Sequence, residues 1–397
     1  MLSNIRVLDL TRLLPGPFTT QLLADLGAEV IKIEEPGFGD YCRLAPTQCI
    51  DGTTSSFHSI NRGKKSVTLD LKNKKDWTTF KKLLKTADVL IESFRPGVME
   101  NLKLNPEQLL QEFPSLIICR ISGYGQTGHY CIHTNIEKGG RMKKKICQSQ
   151  KMIFIRSGLL GLMEKPDLPP LPVADLCGGA YPAAFQIVSC LFGREKDPLR
   201  KGNIIDVSMT DGCYALMPFP QSIVNNTPKH NISFGKYMLN GSVPCYQVYE
   251  CKDKNAYISL GCLEPKFWYQ TCDAIQCPHL KSKGLLAMDN GGDSVKAELT
   301  KIFKTKTSQE WREIFSKYDA CVEIVNLSEQ VSANDPQLKA RNLDVPLTLV
   351  GKSKDGQTVQ TQLKVPRTPL NMKHGVDIQT KPGPKLGEHN QEILSKL

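Results

Sequence analysis

An aspartate directly ahead of paired glycines is the first place where this chain could do chemistry. The stretch Val173-Ala174-Asp175-Leu176-Cys177-Gly178-Gly179-Ala180 sets a carboxyl group at the start of a helix-like run reaching Phe192. Such an acid can simply cap the helix, but two adjacent glycines also leave room for a bulky group to approach it. A second acid, Glu264, stands in Gly261-Cys262-Leu263-Glu264-Pro265-Lys266-Phe267-Trp268. Pro265 there reads as the first residue of a helix, so Glu264 is either a structural residue or a functional one at its entrance. A carboxyl group can exchange a proton with a substrate or attack it as a nucleophile.

Three further segments suit ligand binding. Gly123-Tyr124-Gly125-Gln126-Thr127-Gly128 follows an apolar strand, at the edge where open α/β sheets hold their ligands. Asn61-Arg62-Gly63-Lys64-Lys65 and Phe94-Arg95-Pro96-Gly97 are cationic turns of the kind that pairs with phosphates. The chain has 14 cysteines, none in C-x-x-C spacing, and they read as small buried hydrophobes with no zinc ribbon or redox dithiol. No metal site and no cofactor are expected.

These residues need a scaffold, and the N-terminal half supplies one by alternating strand and helix patterns. Strands are expected over 5–10, 29–34, 66–71, 88–92, 116–121 and 204–209, with helices over 18–26 and 74–84 and a further helix opening at Thr210-Asp211. This order predicts βαβ units and a mostly parallel, Rossmann-like sheet. The loop Leu14-Pro15-Gly16-Pro17-Phe18 excludes a dinucleotide site, because prolines replace the glycines that admit a pyrophosphate. From about residue 230 the texture changes to a hairpin, 245–249 with 256–260, then helices over 294–303 and 308–318. The tail beyond 340 is expected to be extended. The predicted division is a large α/β domain, 1–228 with 341–397, and a small α+β domain, 229–340.

Composition narrows the function class. The 397 residues carry 51 Lys and Arg against 40 Asp and Glu. Seven of those cations and a single Glu fall between His129 and Arg156, a run that reads as a solvated basic insertion over 129–156. Without interleaved aromatics it does not suggest nucleic acid. The weakly polar run 178–193 is shorter than a membrane span requires, so none is expected. The terminal Ser395-Lys396-Leu397 matches a peroxisomal import signal read by a soluble receptor, and Arg6 and Arg12 near an acid-poor start leave a mitochondrial share open.

Taken together the segments resemble the alpha-methylacyl-CoA racemases within the family III CoA transferases. The matching stretches are 14–18, 23–28, 61–71, 94–100, 123–128, Asp175 with its glycines, 261–267, 319–322 and 387–389. The resemblance implies an interlocked homodimer acting on 2-methylacyl-CoA thioesters by 1,1-proton transfer through an enolate, in branched-chain fatty acid and bile-acid-type breakdown. CoA would then be part of the substrate, with no separate cofactor. By the same resemblance Asp175 is one proton-transfer residue and Glu264 supports a second base, a histidine. CoA would lie near Arg62, Lys64, Leu69, Asp70, Leu71, Arg95, Tyr124 and Gly125.

Two departures bear on activity. The family's Gly-His-Asp stretch is absent: counted forward from Gly128 the histidine position holds Ile136, and counted back from Ser157 it holds Ser149. His133 is the candidate substitute base, with His129 the next choice, but a mis-assembled or alternatively spliced reading frame across this interval is favoured over an evolved substitute. Without the base the chain is an impaired racemase. Glu35 stands where relatives carry an arginine, and an acid there repels phosphate. The alternatives are a CoA transferase using Asp175 as nucleophile, or a catalytically inactive acyl-CoA binder.

Overall fold

The computed structural model describes residues 1–44, 48–131, 150–163, 169–226, 237–286, 291–326, 335–352 and 355–397. His133 and most of the basic insertion lie outside them. The described end of that insertion is no solvated loop: Gln150–Ser157 is a helix whose Ile153 and Phe154 are buried. Ser157 ends this helix, and Gly158 at φ 88° turns the chain into a short 3-10 segment, Leu159–Leu162.

Strands β1 (Arg6–Asp9), β2 (Glu29–Glu34), β3 (Lys65–Thr68), β4 (Val89–Glu92), β5 (Ile117–Ser122) and β6 (Asn203–Ser208) form one sheet in the order β3-β2-β1-β4-β5-β6. Every pair in it is parallel. Helices cover both faces, which is why β4 and β5 are buried at every residue. One core holds Leu8, Ile31, Val67, Phe80, Leu90 and Ile118. The helix Lys74–Leu84 covers that face and starts where Asn73 accepts from the backbone N–H of Lys75 and Asp76.

The helix expected from Phe18 begins earlier, at Pro15, and takes in residues assigned to a loop. Prolines are tolerated in a first turn because its N–H groups have no partner inside the helix. Gly27 ends it at φ 96° as expected. The tail differs more: β10 (Asp344–Lys352) and β11 (Thr358–Pro366), an antiparallel hairpin, occupy what reads as extended chain. Alternating burial along β10 shows the period of two that a Pro-centred reading hides. Beyond it, His389 donates its backbone N–H to the Ser66 carbonyl at 2.9 Å and accepts at Nδ1 from the Ser66 N–H at 3.2 Å. The Gly387-Glu388-His389 stretch therefore covers the outer edge of β3, which would otherwise be open to pairing.

The chain divides into two compact units: 1–157, 169–216 and 341–397 form the first, and 158–168 with 217–340 the second. The second is built on β7 (Tyr246–Glu250), β8 (Tyr257–Gly261) and β9 (Val322–Ile324), an antiparallel sheet. Its core joins Cys245, Cys262, Trp268, Leu280, Leu299, Phe303 and Trp311. Tyr249 stacks on Phe303, which meets Trp311 edge-on, each pair at 5.2 Å.

One expectation about length needs correction. The helical run Ala174–Lys196 has 23 residues and a mean hydropathy of 1.3, long and apolar enough by length and composition to cross a membrane. Its inner side is nevertheless committed to the sheet: Ala183, Ile187 and Leu191 are buried, and Arg194 donates to Asp88 at 2.8 Å.

Candidate active site

Asp175 occupies the second position of a π-helical turn, Ala174–Ala180, that runs directly into the α-helix Tyr181–Lys196. Such turns insert one residue into a helix and are frequent at functional sites. The acid is not an N-cap: that position belongs to Val173, and no side chain caps the helix. The paired glycines do not open space beside it either. A Cβ on Gly178 would stand 2.6 Å from the Met209 carbonyl oxygen, and one on Gly179 3.0 Å from the Met209 side chain. They let the turn press against the helix Met209–Ala215, where a Cβ on Gly212 would in turn meet the Gly178 carbonyl at 2.1 Å.

The bracing comes from segments that follow the sheet's strands at their carboxyl ends. Pro15, opening the helix after β1, approaches Gly179, and Thr19 Oγ1 donates to the Ala180 carbonyl at 3.3 Å. The helix after β6 is tied to the Gly123–Gly128 loop after β5, where Thr210 Oγ1 donates to the Gly123 carbonyl at 2.7 Å. Gly125 needs its φ of 79°, and beside it the Gln126 N–H donates to Asp206 at 2.9 Å. Tyr124 is buried and meets the Tyr130 ring at 5.7 Å. Asp175 thus sits at the edge of the sheet where open α/β folds do their chemistry.

Among the described residues no cation pairs with the Asp175 carboxyl group. Burial alone pushes its pKa up to about 6, against a small opposing effect of its own backbone. A carboxyl group titrating there can both take and return a proton near neutral pH.

A cleft opens at the carboxyl ends of β1 and β4, where the strand order reverses. Its cavity volume is about 210 Å³, below the roughly 300–1,000 Å³ of drug-sized ligand sites, and it is open to solvent. Leu10, Arg12, Leu69, Asp70, Leu71 and Phe94 line it, so three residues expected at the CoA site do face it. Lys72 borders both this cleft and an adjoining one that carries Lys74 and Lys103. Arg95 is exposed. Sequence alone missed Arg12, Lys72, Lys74 and Lys103 as site residues, although Lys72 directly follows the Leu69-Asp70-Leu71 stretch.

Arg62 and Lys64 are elsewhere. Arg62 is 1% exposed and pairs with the buried Asp25. Lys64 Nζ is enclosed, donating to the Pro17 carbonyl at 2.8 Å, Thr20 Oγ1 at 2.7 Å and Asn61 Oδ1 at 2.9 Å, and it stands 3.4 Å from Asp9. Burial pulls its pKa down to about 7 in spite of Asp9. Against the upward push of burial, Lys32, Lys64 and the Thr11 and Thr20 hydroxyls hold Asp9 at about 2. The charges that read as phosphate contacts instead anchor the first loop and helix from beneath. Glu35 is answered by Arg12 at 3.0 Å, which removes the repulsion expected there.

Glu264 belongs to the second unit. It is the N-cap residue before the helix Pro265–Ala274, with Pro at the first position as expected. Its side chain is 65% exposed and reaches Lys266 at 3.3 Å. His129 is exposed, its ring edge-on to Tyr130 at 5.0 Å, and His133 lies outside the described residues. At the terminus Ser395 and Lys396 are exposed, whereas Leu397 packs against the core and its carbonyl accepts from Lys82 at 3.1 Å.

The parallel sheet is shared with known proteins of one family. The chain matches CoA-transferase family III over residues 2–390. It belongs to that family. It is 32% identical to the human alpha-methylacyl-CoA racemase, covering 100% of this chain and 93% of that one. It is also 33% identical to acetyl-CoA:oxalate CoA-transferase of Acetobacter aceti, covering 100% and 95%. Among solved structures, a CAIB/BAIF family protein from Brucella suis superposes with a TM-score of 0.78 at 25% identity, covering 99% of this chain and 98% of that one. A mutant of Rv3272 from Mycobacterium tuberculosis gives 0.78 at 27%, covering 100% and 99%. The chain is thus an enzyme of the family III CoA-transferase and racemase superfamily.

Proposed function

We propose that this chain moves the α-proton of 2-methylacyl-CoA thioesters, interconverting their epimers, with Asp175 as one acid/base. The observation that carries the reading is the unpaired, half-buried carboxyl group, pushed up to about 6 by burial, on a turn braced from the carboxyl edge of the sheet. The cleft between β1 and β4 suits the nucleotide end of CoA, with apolar walls for the adenine and Lys72, Lys74 and Lys103 for its phosphates. Asp175 takes the proton, the electron pair moves onto the thioester oxygen, and the enolate is reprotonated at carbon. Inversion needs a second donor on the opposite face.

The exposed aromatic face of Tyr181–Lys196 supports a homodimer as part of the same proposal: Phe185 is 74% and Phe192 66% exposed. A second reading, CoA transfer with Asp175 as nucleophile, is favoured by one observation. Among the described residues no histidine pairs with Asp175 or Glu264, and a nucleophilic carboxylate needs none.

Each epimer of a 2-methylacyl-CoA incubated separately in D2O decides between these. Deuterium entering the α-position of one epimer without inversion marks Asp175 acting alone. Entry from both, with inversion, marks a second base such as His133. In either case Asp175→Asn lowers the exchange by about 10²–10⁴-fold. CoA passing to an added free carboxylate, with no deuterium at carbon, would overturn the proton-transfer reading for the transfer one.

A further inference from the structure

Three side chains of different chemistry converge in the second unit. Cys277 Sγ, His279 and Glu298 each offer a ligand atom, and these atoms lie within 4.8 Å of one another. Among the described residues this is the one such group of three. His279 Nε2 already meets Glu298 Oε1 at 2.7 Å. The Cys277 thiol makes only a long contact to the Ile275 carbonyl, at 3.4 Å.

The framework behind the three donors is rigid. Gln276, at φ 60°, turns the chain sharply after the helix Pro265–Ala274, and the Cys277 N–H donates back to the Cys272 carbonyl at 2.8 Å. Cys277 then caps the 3-10 segment Pro278–Lys283. His279 is followed by Leu280, and Glu298 on the helix Gly292–Phe303 is followed by Leu299; both leucines are fully buried in the same core. Each donor is thereby set beside an anchored neighbour, while its own tip stays open to solvent.

We propose that Cys277, His279 and Glu298 form a site for a divalent cation of the zinc class, with water as the fourth ligand. An exposed His–Glu pair alone gains little and has no use for a thiol aimed at the same point. Sulfur and nitrogen donors disfavour Mg²⁺ and Ca²⁺, which take oxygen, and together with one carboxylate they match Zn²⁺. In tetrahedral coordination donors stand roughly 3.5 Å apart, given metal–ligand bonds of about 2.0–2.3 Å. The three donors, within 4.8 Å of one another, must draw in by about 1 Å to reach that spacing, and the two that must move most freely, His279 and Glu298, are solvent-facing. The bound cation would join the 3-10 segment to the following helix across 19 residues of chain.

Cobalt titration of the full chain, stripped with a chelator and kept reduced, tests this. One equivalent of Co²⁺ should give tetrahedral visible bands and a thiolate-to-cobalt charge-transfer band, both displaced by Zn²⁺. Cys277→Ser should abolish the charge-transfer band. His279→Ala, an exposed change that leaves the core intact, should weaken binding by more than about tenfold and cancel any rise in Tm that Zn²⁺ gives the parent chain. The absence of tetrahedral bands overturns the proposal. So does a charge-transfer band of full intensity in Cys277→Ser, which would assign the metal to other cysteines.

Discussion

Asp175 trades stability for reactivity. Its carboxyl group titrates at about 6 in the folded chain because burial penalises the charged form, against about 3.9 when unfolded. The folded state thus binds more protons than the unfolded one between those values, and stability falls as pH rises through them. At pH 7.5 the charged acid costs up to about 3 kcal/mol, since every tenfold loss of acidity on folding is worth about 1.4 kcal/mol. Asp175→Asn should therefore melt higher than the parent at pH 7.5, by an amount that shrinks towards pH 4, while losing most of its exchange activity. Equal melting at both pH values would mean that the acid is solvated and titrates as it does in the unfolded chain.

The same scale separates the two sets of cations. Arg62 stands inside the protein against Asp25, which also accepts from Thr368 Oγ1 at 2.6 Å and from the Gln379 N–H at 2.9 Å. Removing one partner of a buried pair costs about 3–5 kcal/mol. Arg62→Ala should lower the denaturation midpoint severely and leave the Kd for CoA of the remaining folded protein within about twofold. Lys72→Ala should do the reverse, with an unchanged midpoint and a Kd for CoA about fivefold higher, for the loss of about 1 kcal/mol. Calorimetry on both variants checks the pair. The sequence could not tell these cations apart, since Arg62 and Lys72 both sit in turns and only the path of the chain buries one.

At the scale of elements, the position of Asp175 is a matter of how closely two helices approach. Gly178 and Gly212 face each other with no space for a methyl group on either. Gly212→Ala should cost about 1–3 kcal/mol through overpacking. Because the strain falls on the turn that carries the acid, kcat should drop while the Kd for CoA, set at the cleft after β1 and β4, stays the same. A variant that lost stability but kept full kcat would show that the turn tolerates displacement. The strands were legible in sequence because a parallel sheet buried on both faces writes short apolar runs separated by amphipathic helices. The role of the glycines was not, since a glycine that admits a ligand and one that admits a neighbouring helix look alike in sequence. The hairpin β10–β11 was hidden for a related reason: Pro346 and Pro366 mask the alternation of its buried residues.

For the molecule as a whole, the question of assembly is posed by one helix face. Tyr181, Phe185, Val188 and Phe192 recur at helical spacing and are all exposed, while Ala183, Ile187 and Leu191 on the other side are buried. An amphipathic layer helix ordinarily turns charge outwards, so aromatic rings there call for a second surface, and a copy of the same chain provides one that is self-complementary. Four such side chains form the apolar centre of a contact, to which further surface must add for the roughly 1,200–2,000 Å² that a stable interface buries. Light scattering should therefore give twice the chain mass, with a Tm that rises with protein concentration because association stabilises only the folded state. Phe185→Asp combined with Phe192→Asp changes only exposed positions and should yield a folded monomer whose Tm no longer depends on concentration. If the double variant remains a dimer, the aromatic face is not the contact and the self-association must run through another surface.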